Sequence, residues 1–229
     1  MLSLVPQPTV MIMYHRGPLL KGNVAVNLLW YGNFSAIQRS ILVDFVLSLN
    51  ARETAHHPSV KTLWNATGEW GADVVVEEFC VSECGMHGHT LYKKVKYAYA
   101  WVGNPATQCL SQCPWPFHLL LYGPQTPPLV APNGDVGIDG MVINLATVLA
   151  GAVTNPFGNG YYQGPAEGSL EAVSACTGIF GTGAFPGYPG KLLVDKTTGA
   201  SYNAVGVNGR KYLLPAMWHP HLTKCTTLT

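Results

Sequence analysis

Residues 129–165, LVAPNGDVGIDGMVINLATVLAGAVTNPFGNGYYQGP, decide how this chain folds. A Pro/Gly loop runs into an apolar segment, which ends at Asn155-Pro156 and opens into a loop rich in Gly and Tyr. Met141 to Val153 holds no charged residue. That is shorter than the ~20 apolar residues a bilayer-crossing helix needs, so no membrane span is expected. It is long enough for about three helical turns buried on nearly every side. The pattern predicts a central helix over about 140–153, with Asp139 as its N-cap.

Outward from the helix, the chain supplies ample core. Apolar residues make up 48% of the 229 and charged residues 11%, which excludes a disordered chain. The formal net charge is +1, so no general field exists for nucleic acid or an anionic membrane, and neither is expected as a partner. Lys93, Lys94 and Lys96 read as a solvated strand edge. Gly 25 and Pro 17 point to many turns.

Towards the C-terminus, residues 166–175 read as a short helix ending at Cys176. Residues 178–190 form a Gly/Pro loop. Its G-x-x-G-x-G lacks the following helix that a phosphate cradle needs. Lys191–Asp195 and Ala200–Val207 predict a hairpin, and Asn208-Gly209 a second tight turn. Towards the N-terminus, Asn23–Trp30, Val74–Phe79 and Tyr97–Val102 read as strands, and Asn104–Pro132 as a long Pro-rich loop. Ser35 and Gln38 form an S-x-x-Q capping box. The helix it starts carries Ile37, Ile41, Phe45 and Leu49 at helical spacing and ends near Asn50; Ser59 caps another. Strands and helices mix without βαβ repetition. The fold class is therefore α+β (mixed α/β): one sheet packed around the buried central helix, loop-rich and disulfide-stapled.

Several constellations invite chemistry. Cys80, Cys84, Cys109, Cys113, Cys176 and Cys225 are even in number. The first four are spaced for a zinc site, but the preferred reading is disulfides, with Cys176 and Cys225 as a further pair. Asn33-Phe34-Ser35 and Asn65-Ala66-Thr67 are glycan acceptors in a secreted protein, and with the cysteines they favour an oxidising compartment. The first residues, by contrast, lack the basic region and unbroken apolar core of a signal peptide.

His87-Gly88-His89 has no carboxylate at obvious spacing and reads as an exposed loop pair, as do His56-His57 and His219/His221. Asn133, Asp135 and Asp139 resemble a sparse calcium loop but read better as helix capping. Glu167 and Glu171 read as solvated on a surface helix, and Arg210-Lys211 as basic flanks of a hairpin rather than an anion site. No nucleophile motif is present, so no catalytic residue, metal ligand or cofactor is expected.

GPLLKGNVAVNLLWYG (17–32), QRSILVDFVLSLN (38–50), EEFCVSECGMHG (77–88), AWVGNPATQC with QCPWPFH (100–118), the opening stretch, SACTGIFGTGAFPGYPG (174–190) and GASYNAVGVNGRKYLLPA (199–216) together carry a resemblance. They resemble the plant Exordium / phosphate-induced protein family of secreted, cell-wall-associated growth proteins. The resemblance implies a single domain over 1–229. It also implies an apoplastic protein of the extracellular space that promotes cell expansion in brassinosteroid-dependent and carbon-status signalling. Such a protein would be a non-enzymatic binding scaffold for a wall component or receptor. Two features depart from the family pattern: no signal peptide is seen, and an internal segment near 70–73 is missing. Distant relatives of the family resemble zincins, with His-Glu-x-x-Glu ahead of Thr-Asn-Pro. The corresponding positions here are Thr147, Val148 and Gly151, so the resemblance implies a zincin-like scaffold without metal ligands. Two alternatives stand beside this reading: a cryptic wall-directed hydrolase using Asp135 or Asp139 with His87 or His89, and an intracellular zinc-binding module using the paired cysteines.

Overall fold

The computed structural model describes residues 10–20, 25–51, 58–65, 74–77, 84–107, 110, 112–165 and 168–229. The elements in chain order are β1 (Met13–Tyr14), β2 (Leu28–Tyr31), α1 (Ala36–Leu49), α2 (Val60–Asn65), β3 (Val74–Glu77), β4 (Gly85–Tyr92), β5 (Val95–Val102) and α3 (Val136–Thr154). Then follow β6 (Tyr161–Tyr162), β7 (Leu193–Val194), β8 (Ser201–Tyr202), β9 (Ala204–Val205), β10 (Lys211–Tyr212), β11 (Met217–His219) and β12 (Lys224–Thr226). The class is mixed helix and strand around one buried apolar helix. Among the described residues the strands pair as six two-stranded sheets.

The central helix begins earlier than the 140–153 expected from its apolar run. It covers Val136–Thr154, and its N-cap is Asp135, whose side chain accepts from the Ile138 N–H at 3.0 Å. Asp139 is inside the first turn, not at the cap. The PNGDVGIDG stretch looks like loop because Gly137 and Gly140 lower helix propensity. Tertiary packing explains both glycines. A Cβ on Gly140 would stand 2.6 Å from Pro105 Cγ and 3.3 Å from Pro114 Cα, so the helix backbone lies directly against the Pro-rich loop. Every residue of α3 except Val136 and Thr147 is buried. At 19 residues it is long and apolar enough to cross a membrane by length and composition alone, but here the chain wraps it.

Two apolar clusters meet on α3. On one side Ile138, Met141, Leu145 and Leu149 pack with Ile41, Leu42 and Phe45 of α1, Val60 of α2 and Tyr212. On the other, Ile143 packs with Phe117, Ala131, Phe180 and Leu213. The α1 capping box forms as expected. Gln38 Oε1 accepts from the Ser35 N–H, and Ser35 Oγ accepts from the Gln38 N–H. Gln38 also donates through Nε2 to Asp135 Oδ2 at 3.0 Å, tying the N-termini of α1 and α3 together. Ile37 remains 73% exposed, because the first turn of α1 overhangs the core. Ser59 Oγ accepts from the Thr62 N–H, as expected of the cap of α2.

The hairpin β4–β5 corrects a second expectation. His87-Gly88-His89 belongs to a strand, not a loop, and Lys93 and Lys94 form its two-residue turn. Both have positive φ (45° and 68°), the conformation that matches strand twist in tight hairpins. The register sets Gly85 opposite Val102, His87 opposite Ala100 and His89 opposite Ala98. This face packs on α3, and the small alanines leave room for the imidazoles. The expected hairpin at 191–207 forms as β7–β8, and Asn208 and Gly209 make the second turn with φ 59° and 69°.

Two disulfides staple the described fold: Cys84–Cys113 and Cys176–Cys225. The first anchors the Pro-rich loop to the start of β4, and the second ties β12 back to a 3₁₀ turn at Ser174–Cys176. Cys80 and Cys109 lie outside the described residues. Closing a loop 49 residues apart in sequence restricts the unfolded chain by roughly 2–4 kcal/mol. Replacing both Cys176 and Cys225 with serine is expected to lower unfolding free energy by that order, measured by urea titration.

Candidate functional site

A cleft of about 230 Å³ opens at the C-terminal end of α3. Its polar centre is His87 of β4, whose Nε2 lies 2.6 Å from Glu171 Oε2. Both side chains are 15% exposed. Asn155 Nδ2 donates to the other carboxylate oxygen, Glu171 Oε1, at 2.7 Å. Asn155 is also the C-cap of α3, and its Oδ1 accepts the Gly160 N–H at 2.7 Å. One side chain thus ends the helix, pins the following loop and orients the carboxylate. Ser174 Oγ accepts from the Glu171 N–H at 2.7 Å, fixing the acid from the main-chain side. Among the described residues His87 Nδ1 is buried without a hydrogen-bond partner.

Gly151 makes this arrangement possible. A Cβ there would stand 2.5 Å from His87 Nε2 and closer still to Glu171 Oε2. The side chains therefore meet on bare helix backbone. Phe157 and Tyr162 also line the cleft. His89 meets the Phe157 ring edge-on with centroids 5.3 Å apart, and Lys96 Nζ sits 5.1 Å over that ring. Tyr162 stacks on His15 at 3.8 Å.

The structure departs from several sequence expectations here. His87 is not in an exposed loop pair, and its carboxylate comes from 84 residues away. Glu171 is not on a solvated helix: it lies between Leu170, which bridges antiparallel to Gln163, and the 3₁₀ turn, and Glu167 and His56-His57 lie outside the described residues. His219 is not in an exposed loop either: it is half-buried at the end of β11, while His221 is exposed in the turn beyond, their ring centroids 5.9 Å apart. The hydrolase alternative does not assemble. Asp139 lies in the first turn of α3 and His87 meets the helix at Gly151, about 18 Å further along at 1.5 Å per residue. The four-thiolate zinc site loses Cys84 and Cys113 to a disulfide. No three His, Cys, Asp or Glu side chains converge among the described residues. Asn33 is exposed just before α1, and Asn65 ends α2.

The N-terminal end of α3 holds a separate polar network. Asp139 accepts from the Asn133 N–H at 2.8 Å and from Asn133 Nδ2 at 2.6 Å. Arg210 donates to Asn133 Oδ1 and to Asp44 Oδ2, and Lys211 is paired with Asp195. Both cations are matched by carboxylates, so this turn is not an anion site. The Lys211 hydrogen bond holds the Asp195 carboxyl down at about 2. Burial pushes Asp139 up to about 6, overriding the two Asn133 bonds, with Asp135 adding to the rise.

The fold and cleft define a disulfide-stapled α+β protein whose buried helix carries a polar network at one end and a His–Glu–Asn cleft at the other. The chain belongs to the Exordium / phosphate-induced protein family of plants. The family profile described as "Phosphate-induced protein 1 conserved region" matches residues 12–73 and 70–228. The chain is 49% identical over 281 residues to "Protein EXORDIUM-like 2" of Arabidopsis thaliana, covering 99% of this chain and 92% of that protein. It is 46% identical over 285 residues to "Protein EXORDIUM" of Arabidopsis thaliana, covering 97% and 91%. It is also 46% identical over 285 residues to "Protein PHOSPHATE-INDUCED 1" of Nicotiana tabacum, covering 99% and 91%. None of these names carries an enzymatic activity. No solved structure matches the chain.

Sequence reasoning missed Asn155 and the pairing of His87 with Glu171. The signal available was Gly151, a glycine interior to an otherwise apolar helix, which marks a close approach by another segment. Gly151→Ala is expected to cost about 1–3 kcal/mol by overpacking, despite its better helix propensity, and to displace the His87 ring; thermal unfolding and the His87 NMR resonances check this.

Asp139 has a folded-state pKa above its ordinary 3.8, so its contribution favours the folded state most below about pH 4 and is lost as pH rises through about 6. At about 1.4 kcal/mol per unit, the swing approaches ~3 kcal/mol. Asp139→Asn should flatten stability between pH 4 and 7, read by denaturant midpoints across that range.

Proposed function

We propose that this chain is a secreted protein of the plant cell wall that promotes cell expansion in brassinosteroid-dependent and carbon-status signalling. It acts as a non-enzymatic scaffold that binds a wall component or receptor. The observation that carries the reading is the pair of disulfides around the buried helix of an Exordium-family chain. Disulfides persist in oxidising compartments and are rare in the cytosol.

Three further features support it. Asn33 is an exposed sequon. Asp139 favours the folded state in acid, which suits an acidic extracellular space. Asp135 and Asp139 lie at the far end of α3 from His87, so the acid–histidine pairing of the hydrolase alternative is not formed.

A fluorescent fusion expressed in plant cells from the complete transcript should mark the wall space after plasmolysis. It should carry an endoglycosidase-sensitive mass that Asn33→Gln removes. Overexpression should enlarge leaf cells in wild-type plants more than in brassinosteroid-insensitive ones. Signal confined to the cytosol overturns the reading.

A further inference from the structure

We propose that the cleft at the C-terminal end of α3 binds a single neutral sugar ring, a pyranoside. This rests on the reading of the protein as a binding scaffold and names the ligand class of that scaffold.

The size suits one ring. At about 230 Å³ the cleft is smaller than the ~300–1,000 Å³ typical of drug-sized pockets. Its lining combines two aromatic rings, Phe157 and Tyr162, with a few convergent polar groups from Asn155, Ser169 and Glu171. A pyranose presents that combination: an apolar C–H face and a belt of hydroxyls. The aromatics are held in place before a ligand arrives, Phe157 by His89 and Lys96 and Tyr162 by His15.

The hydrogen-bonding capacity fits hydroxyls better than a charged group. Each carboxylate oxygen of Glu171 already accepts one donor, from His87 or Asn155. A carboxylate offers about four lone-pair sites, so roughly two remain, side by side, for adjacent hydroxyl groups. Asn155 Nδ2 retains its second N–H as a donor beside them, and Ser169 adds a hydroxyl. An anionic ligand would meet the Glu171 carboxylate. A cationic one would find that carboxylate engaged by His87 and Asn155, and would meet Lys96 over the Phe157 ring. A neutral polyol with an apolar face meets neither objection.

The positions are also rigid. Glu171 is fixed at both oxygens and at its N–H, and Asn155 is locked by the Gly160 N–H. Preorganisation of this kind reduces the ordering cost that otherwise weakens a small ligand.

The test is saturation-transfer NMR on the full chain with methyl β-D-glucopyranoside, methyl β-D-xylopyranoside, methyl β-D-galactopyranoside and sodium galacturonate. At least one neutral glycoside should bind with a Kd on the order of 1 mM, with the strongest transfer to protons of one ring face. Phe157→Ala should weaken binding about tenfold and Phe157→Trp should retain it. Gly151→Ala, which displaces the His87–Glu171 pair, should weaken it as well. Circular dichroism confirms that each variant is folded. The site is overturned if no neutral glycoside binds up to about 50 mM, if galacturonate alone binds, or if folded Phe157→Ala binds unchanged. A wall-located protein that binds no sugar overturns this site and leaves the extracellular reading standing. A cytosolic protein that binds one does the reverse.

Discussion

Burial of one helix on every face is the constraint on which the rest of the structure depends. A helix with one apolar stripe needs a neighbour on one side, whereas α3 needs neighbours all round. The chain answers with two apolar clusters, one from α1, α2 and Tyr212 and one from Phe117, Phe180 and Leu213. Surrounding a helix so completely also requires segments to cross close to its backbone. Glycines sit at such crossings: Gly140 against Pro105 and Pro114, Gly151 against His87 and Glu171. Each costs about 0.5–1 kcal/mol of helix propensity relative to alanine. That cost is small beside the roughly 1.5–3 kcal/mol contributed by each large apolar side chain the enclosure buries.

The two ends of the helix then face different electrostatic problems. The N-terminus carries partial positive charge, which favours an ionised Asp139 within the first turn. Burial opposes this and wins, leaving Asp139 at about 6 even with two hydrogen bonds from Asn133. The C-terminus carries partial negative charge, and an acid there is unfavourable by itself. Glu171 stands beside it only because His87 and Asn155 donate to its two oxygens. The helix thus ends in a carboxylate that is satisfied yet still able to accept. On the other side of the ring, His87 Nδ1 is buried without a hydrogen-bond partner among the described residues.

Local features of the fold were legible in the sequence. The Ser35/Gln38 box, the alternation at 97–102 and the turn at Asn208-Gly209 follow from short-range chemistry, and the pairing of Cys176 with Cys225 from the even cysteine count. The start of α3 was not legible, because glycines and aspartates that read as loop are there for packing and capping. The cleft was not legible either. His87 and Glu171 are far apart in sequence, and no spacing rule joins a strand residue to a residue near a 3₁₀ turn. Nor did Thr147, Val148 and Gly151 reveal their use. Gly151 cannot ligate anything, but its missing side chain is what admits the pair.

The disulfides bear on the cleft as well as on the fold. Cys84 immediately precedes β4, three residues before His87, and Cys176 lies in the turn five residues after Glu171. Each half of the His87–Glu171 pair therefore sits on a segment with its own covalent anchor. The two anchors lead to different places, the Pro-rich loop for one and the C-terminal hairpin for the other. Neither bond joins β4 to the Glu171 segment. Their effect is to limit how far each segment can drift from α3, so that a 2.6 Å contact across Gly151 is retained without a bond between them. Reduction would free both segments together. The geometry of the cleft is thereby linked to the redox state of the two disulfides.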